Sequence, residues 1–274
     1  LLACGAVYSL GRRVENRRTG LIAAALLSTA PIFMDQAGGV SIDLAFAALS
    51  IGGLAALLSW PDERNSETSN TSSARSSWLI LSGFLAGSAC GVRHTGYLVC
   101  ALLCLGILVF GRAGRLKAAL TFGAAAGLAA SPWLIRSALL VGNPVFPFLL
   151  SRFPTHGIDH LAITGLGIHE SIAKTGGMDF LTFLRFPWDI VMRPGWYDGW
   201  SKSPGAMVLL LGVPGLLAGG RRARALGAYS IAGGACFFFF QRLARYILPF
   251  FIPMMVVAGV AAERLLPFRK AIQV

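Results

Sequence analysis

The side chains of this sequence that could do chemistry are few, and most stand at the ends of apolar runs. They are Asp35, Gln36, Asp43, Arg93, His94, Arg136, Asn143, Gln241, Arg242 and Arg245. Ionisable groups near hydrocarbon are costly, so a set gathered at one membrane rim is a candidate site. The planar fork of arginine suits phosphate, and Arg93, Arg136, Arg242 and Arg245 facing one another would make an anion site. Any single one of them could instead be an interfacial arginine that snorkels. His156 and His160 are four apart and would share one helical face, as metal ligands must. Gly157 stands where a zinc-protease helix carries glutamate, so a solvated loop is the better reading and no metal is expected. Gly165 and Gly167 lack the third glycine of a dinucleotide loop. Nucleophile elbows and Walker lysines are absent, and no cofactor is expected.

The elements that must position these residues are membrane helices. Of 274 residues, 55% are hydrophobic and 13% charged, against about a quarter charged in a soluble domain. The deficit predicts an all-α, polytopic transmembrane bundle. A net charge of +12 could suggest nucleic acid. The excess lies in short clusters between apolar runs, with no basic face interleaved with aromatics, which argues against a nucleic-acid partner. Cys4, Cys90, Cys100, Cys104 and Cys236 lie in or beside apolar runs and read as small buried residues. The chain begins inside an apolar run, without Met and without a signal peptide, and reads as N-terminally truncated.

Apolar runs cover Leu1 to Gly11, Gly20 to Met34, Leu44 to Trp60, Trp78 to Gly91, Gly96 to Phe110 and Leu116 to Ser131. Others cover Gly205 to Gly219, Ala225 to Phe240 and Tyr246 to Leu266. At about 20 residues per crossing, that is about eight or nine spans, with the first incomplete. With Arg12 to Arg18 in the cytoplasm and strict alternation, Arg112/Arg115/Lys117, Arg221/Arg222/Arg224 and Arg264/Arg269/Lys270 share that side, as the positive-inside rule asks. The outer side then receives 35–43, Arg93-His94, 132–203 and 241–245. Residues 1–150 form a first membrane domain, 151–203 a partly helical outer loop, and 204–274 the last membrane helices.

Ser131 to Leu150, SPWLIRSALLVGNPVFPFLL, leaves the membrane. Ser131 is a good N-cap and Pro132 suits a first helical position, so a short helix from Pro132 to Val141 should follow a bend. Gly142 and Pro144 should stop it. Gly83, Gly87 and Gly91, and again Gly123 and Gly127, have the spacing of close helix contacts in lipid. Phe180, Phe183, Phe186, Trp188, Trp196, Tyr197 and Trp200 read as an interfacial belt, or as a platform for lipid or sugar.

SPWLIRSALLVGNPVFPFL resembles the PW-x-x-R…GNPV-x-P-F signature of bacterial GT-C glycosyltransferases, the family 39 and ArnT-like group. APIFMDQAGGVSIDLAFAALS, GFLAGSACGVRHTGYL, FPWDIVMRP and QRLARYILPFFIP agree in the same order. The resemblance implies a multi-pass inner-membrane enzyme. It would move a sugar from a polyprenyl-phosphate donor to a glycan, lipid or protein acceptor on the outer side. By position it implies donor-site roles for Arg242, Arg245 and Tyr246, with Arg93 where the family has a lysine. Arg136 and Asn143 fall in the motif after the bend, and Asp43 at a commonly acidic position. The family's catalytic aspartate would precede Leu1; Asp35 and Asp43 face the right side as lesser candidates for the base, which is assigned to no residue, and the fragment is expected to be inactive alone. A transporter or flippase of lipid-linked glycans is the alternative from another class. It would carry inverted repeats and mid-span charges, whereas here the charges sit at span ends. A non-catalytic membrane scaffold would need no outer arginine cluster.

Overall fold

The computed structural model describes residues 1–39, 41–60, 71–111, 114–146, 148–150, 152–153, 175–240 and 242–265. His156, His160, Gly165, Gly167, Gln241, Arg112, Arg269 and Lys270 lie outside them. The described residues are helical, with no strand among them. Seven helices precede the outer segment: α1 (Leu2–Val14), α2 (Arg17–Ser28), α3 (Pro31–Gly38), α4 (Asp43–Leu57), α5 (Thr71–Val92), α6 (Gly96–Phe110) and α7 (Arg115–Val141). Then come α8 (Phe180–Met192), α9 (Met207–Ala218), α10 (Arg221–Phe240) and α11 (Leu248–Leu265), with short 3₁₀ turns at Pro194–Trp196, Trp200–Lys202 and Ala244–Ile247.

By length and hydropathy, three helices suffice to cross a membrane: Arg115–Val141, Trp200–Ala218 and Ala244–Leu265. The run expected as one span from Gly20 to Met34 breaks into α2 and α3, bent by 64°, and would make a fourth if counted whole. Pro31 opens α3, where its missing N–H costs nothing and its ring forbids continuation of α2. Asp43–Leu57, Ser76–Val92 and Gly96–Phe110 are apolar but shorter. By this measure, therefore, only part of the expected eight or nine crossings is accounted for.

The last helix is the axis of the bundle. In its most apolar window α11 is 83% buried, whereas α7 is 28% buried. α11 packs against α9, α2 and α10, while α5 lies between α4 and α7. Gly83 and Gly87 carry the α5–α7 contact: a Cβ on Gly83 would meet the Phe122 carbonyl oxygen, and one on Gly87 the backbone of Ala126. Gly123 and Gly127 meet nothing within 4 Å. The second glycine pair therefore faces away from any described neighbour, because α7 presents Phe122 and Ala126 to α5 instead.

The break expected at Ser131 does not occur; α7 runs on to Val141 with Pro132 inside it. Pro132 has no N–H for the carbonyl of Leu128, and the Ser131 hydroxyl donates to that oxygen at 2.8 Å. That substitute bond lets the helix pass through the proline. The stop falls at Gly142, in the left-handed region at φ 81°, with its N–H on the Ala138 carbonyl.

The polar residues gather at two ends. At one, Arg264 pairs with Glu15, Asn16 donates to Glu263 at 2.6 Å, and Arg222 donates to the Arg13 carbonyl at 2.7 Å. At the other, Ser201 donates to Asp35 at 2.6 Å and the Ile32 N–H reaches the Ser203 carbonyl at 3.0 Å. The candidate site lies at this second end.

Candidate functional site

Asp43 is the first residue of α4, where the helix dipole favours a carboxylate. It is buried, at 3% exposure. One oxygen pairs with Arg93, and the other lies 2.9 Å from the Ser41 hydroxyl, which also contacts Gln36. Arg93 follows the end of α5 and begins the turn into α6. That turn is tight: the Gly96 N–H reaches the Arg93 carbonyl at 2.9 Å, and a Cβ on Gly96 would strike the backbone of Cys90. A guanidinium on so short a connection has little freedom. Its Cζ sits 3.7 Å from the centroid of the Tyr246 ring, in cation–π contact.

Tyr246 belongs to the 3₁₀ turn that leads into α11, and Arg245 lies beside its ring at 5.5 Å. Arg245 Nε is 3.4 Å from Asp198 Oδ2, and Lys202 Nζ is 3.4 Å from Oδ1. Two cations thus lie beside Tyr246, each near a carboxylate from another part of the chain. His94 packs edge-on against Tyr246 at 6.5 Å and Phe148 at 5.7 Å. Burial lowers the pKa of His94 below the ordinary histidine value, and the neighbouring Arg93 charge lowers it further. Arg93 and Arg245, both beside Tyr246, make a cationic cluster that can hold an anion.

No family model matches the chain, and no curated protein matches it in sequence. Solved structures do. ArnT from Cupriavidus metallidurans bound to undecaprenyl phosphate aligns over 96% of this chain at 20% identity and TM-score 0.61. Its apo form aligns at 21% and 0.64, and archaeal oligosaccharyltransferase AglB from Archaeoglobus fulgidus at 16% and 0.58. The AglB structure holds an inhibitory peptide and a dolichol-phosphate. The chain has the ArnT-type fold. It spans less than half the length of these proteins, 44% of ArnT and 38% of AglB.

Within this ArnT-type fold the expected ring of four arginines is only half assembled. Arg242 is fully buried elsewhere, its Cζ 3.8 Å over the Phe238 ring. Its Nε donates to the Phe238 carbonyl at 2.9 Å and its Nη1 to the Thr175 hydroxyl at 2.6 Å. Nη2 is buried with no hydrogen-bond partner among the described residues. Leu243 is extended between Arg242 and the 3₁₀ turn at Ala244–Ile247, so Arg242 and Arg245 do not share a face: Arg242 turns towards Thr175 and Arg245 towards Asp198. Arg136 is exposed on α7, 5.2 Å over Trp133, and makes none of the cluster's contacts.

Asn143 serves the site at one remove. It is fully buried, accepts from the Val145 N–H at 3.0 Å and donates to the Phe148 carbonyl at 2.8 Å. Ser137 donates to its carbonyl at 2.8 Å. These bonds fold the segment after α7 so that Phe148 reaches His94 and Tyr97.

Asp198 escaped the sequence reading. The available signal was an acid enclosed by aromatics, in Tyr197-Asp198-Gly199-Trp200, with Lys202 four residues on. The aromatics around it divide in two. Phe186 and Tyr197 are buried against Phe238, and burial with nearby Asp189 pushes Tyr197 up to about 12. Phe180, Leu181, Leu184 and Trp188 form an exposed apolar face on α8, as an interfacial helix would present to lipid.

Proposed function

We propose that the chain is part of an integral membrane glycosyltransferase of GT-C type. It moves a sugar from a polyprenyl-phosphate donor to a glycan, lipid or protein acceptor at the outer face of a bacterial inner membrane. The observation that carries this reading is the pair Arg93 and Arg245 gathered beside Tyr246, at one end of a bundle whose fold is shared with proteins solved with undecaprenyl phosphate and dolichol-phosphate. A lipid phosphate at the membrane rim meets two guanidiniums there, and its chain lies along apolar helices.

In this proposal Arg93, Arg245 and Tyr246 contact the donor phosphate. They would oppose the negative charge that grows on it as the sugar leaves, the usual use of fixed cations in group transfer. Asp43 and Asp198 are positioning residues. Asp43 is not the base that deprotonates the acceptor, because both its oxygens are already engaged, by Arg93 and by Ser41. Arg242 and Asn143 hold the outer segments in place, and Arg136 belongs to the lipid interface.

The test uses the full-length gene product in membranes with a radiolabelled polyprenyl-phosphate sugar. Label should pass to an acceptor, and Arg245→Ala should reduce transfer by about 100-fold, the usual cost of one transition-state donor. Label that crosses the bilayer while staying on its carrier would overturn the proposal in favour of a flippase.

A further inference from the structure

A large groove lies at the other end. It has a volume of about 650 Å³ and opens between α4, α5, α6, α7 and α10. Its walls come from the halves of these helices remote from the candidate site. Leu57 ends α4, Ile107 and Phe110 lie in the last turn of α6, Ala118 lies in the first turn of α7 and Leu226 in the second turn of α10. Asp43, Arg93 and Arg245 stand at the opposite helix ends. The walls are apolar, but the rim carries Lys117, Arg221 and Arg222, all exposed. Among the described residues no carboxylate lines the groove. Two guanidiniums and an ammonium beside an apolar slot are complementary to one kind of molecule, an amphiphile with an anionic head and hydrocarbon chains.

We infer that this groove is a binding site for an anionic glycerophospholipid of the inner leaflet. Its phosphate would meet Lys117, Arg221 and Arg222, and an acyl chain would lie against Leu57, Ile107 and Leu226. The volume falls in the range of sites for small ligands, about 300 to 1,000 Å³. The side agrees with the charge, because Arg221 and Arg222 belong to the clusters that the positive-inside rule places in the cytoplasm. A polyprenyl-phosphate donor held at Arg93 and Arg245 has its phosphate at the far end of the helices, so this site is separate and does not rest on the proposed activity. A lipid here would brace α6 and α10 from one side.

The full-length protein is reconstituted in nanodiscs of mixed phosphatidylglycerol and phosphatidylcholine, and retained lipid is read by native mass spectrometry. Phosphatidylglycerol should be retained at least about tenfold over phosphatidylcholine, a preference of about 1.4 kcal/mol. Arg221→Gln with Arg222→Gln should abolish the preference. Gly106→Leu should exclude lipid altogether: Gly106 lines the groove, and a Cβ there meets nothing within 4 Å, so the new side chain fills the slot without strain. An unchanged melting temperature of that variant in lipid-free detergent shows that it folds. Equal retention of the two lipids, or phosphatidylglycerol still bound to Gly106→Leu, would overturn the inference. So would a cross-link from Gly106→Cys to a second copy, or to another part of the same polypeptide seated in the groove.

Discussion

The Arg93 guanidinium is held by opposite charge on one side and a ring face on the other, and the two supports do different things. Asp43 neutralises a cation that is 13% exposed, with its own carboxylate at 4%. Removing one member of a buried pair leaves the other uncompensated, at about 3 to 5 kcal/mol. Asp43→Ala should therefore destabilise the protein by that amount, seen as an earlier thermal transition in detergent, and Asp43→Ala with Arg93→Met should recover most of it. A single variant as stable as the parent would show that Arg93 has another counter-charge. His94 yields a second prediction. Its folded pKa lies below that of the unfolded chain, so the unfolded chain takes the proton first as pH falls through about 6.5. Its contribution is complete above that value and declines below it. The melting temperature should drop between about pH 7.5 and about pH 5.5, and His94→Gln should flatten that drop; parallel curves would refute the assignment. Much of this cluster was legible as residue types, since a charge beside an apolar run announces itself. Which charges meet was not. Arg136 and Arg242 look equivalent to Arg93 in sequence, and only the extended step at Leu243 and the facing of α7 separate them. Asp198 was hidden because its partner Arg245 is remote in sequence.

For whole elements, the informative contrast is between two glycine pairs with the same spacing. Gly83 and Gly87 sit against backbone atoms of α7, whereas Gly123 and Gly127 face open space. Gly87→Leu should push α5 from α7 and cost at least about 1 to 3 kcal/mol, as overpacking does. Gly123→Ala should be neutral or stabilising by up to about 1 kcal/mol, because alanine is the better helix former. Unfolding of the two variants in the same detergent distinguishes them, and equal effects would mean that the α5–α7 contact is misassigned. Spacing marks a candidate contact, but the partner helix chooses which of its faces to present. Serine and proline are ambiguous in the same way. Ser131-Pro132 has the chemistry of a helix start, and the same hydroxyl instead repairs the carbonyl that the proline leaves unbonded. Hydropathy located the apolar segments well, yet it could not show the 64° break between α2 and α3, which depends on where Pro31 falls in the turn.

The whole molecule has two chemically distinct ends, one basic and one carrying the Arg93–Tyr246–Arg245 array. A direct check places single cysteines in a variant without the native ones. Ser201→Cys should react with a membrane-impermeant maleimide on intact cells, and Arg18→Cys only after permeabilisation. The reverse pattern would invert the proposed orientation. The array also joins distant stretches of sequence. Asp43 and Arg93 are fifty residues apart, one opening α4 and the other following α5, which packs against it, whereas Tyr246 arrives with α11. During synthesis the charge pair can close as soon as α5 emerges, but the ring that covers it comes some 150 residues later, about 8 to 30 seconds at ordinary elongation rates. The array is therefore completed only when α11 arrives. Until then a nascent polypeptide carries Arg93 and Asp43 paired but uncapped, and it is the docking of α11 against α9, α2 and α10 that brings the ring over them.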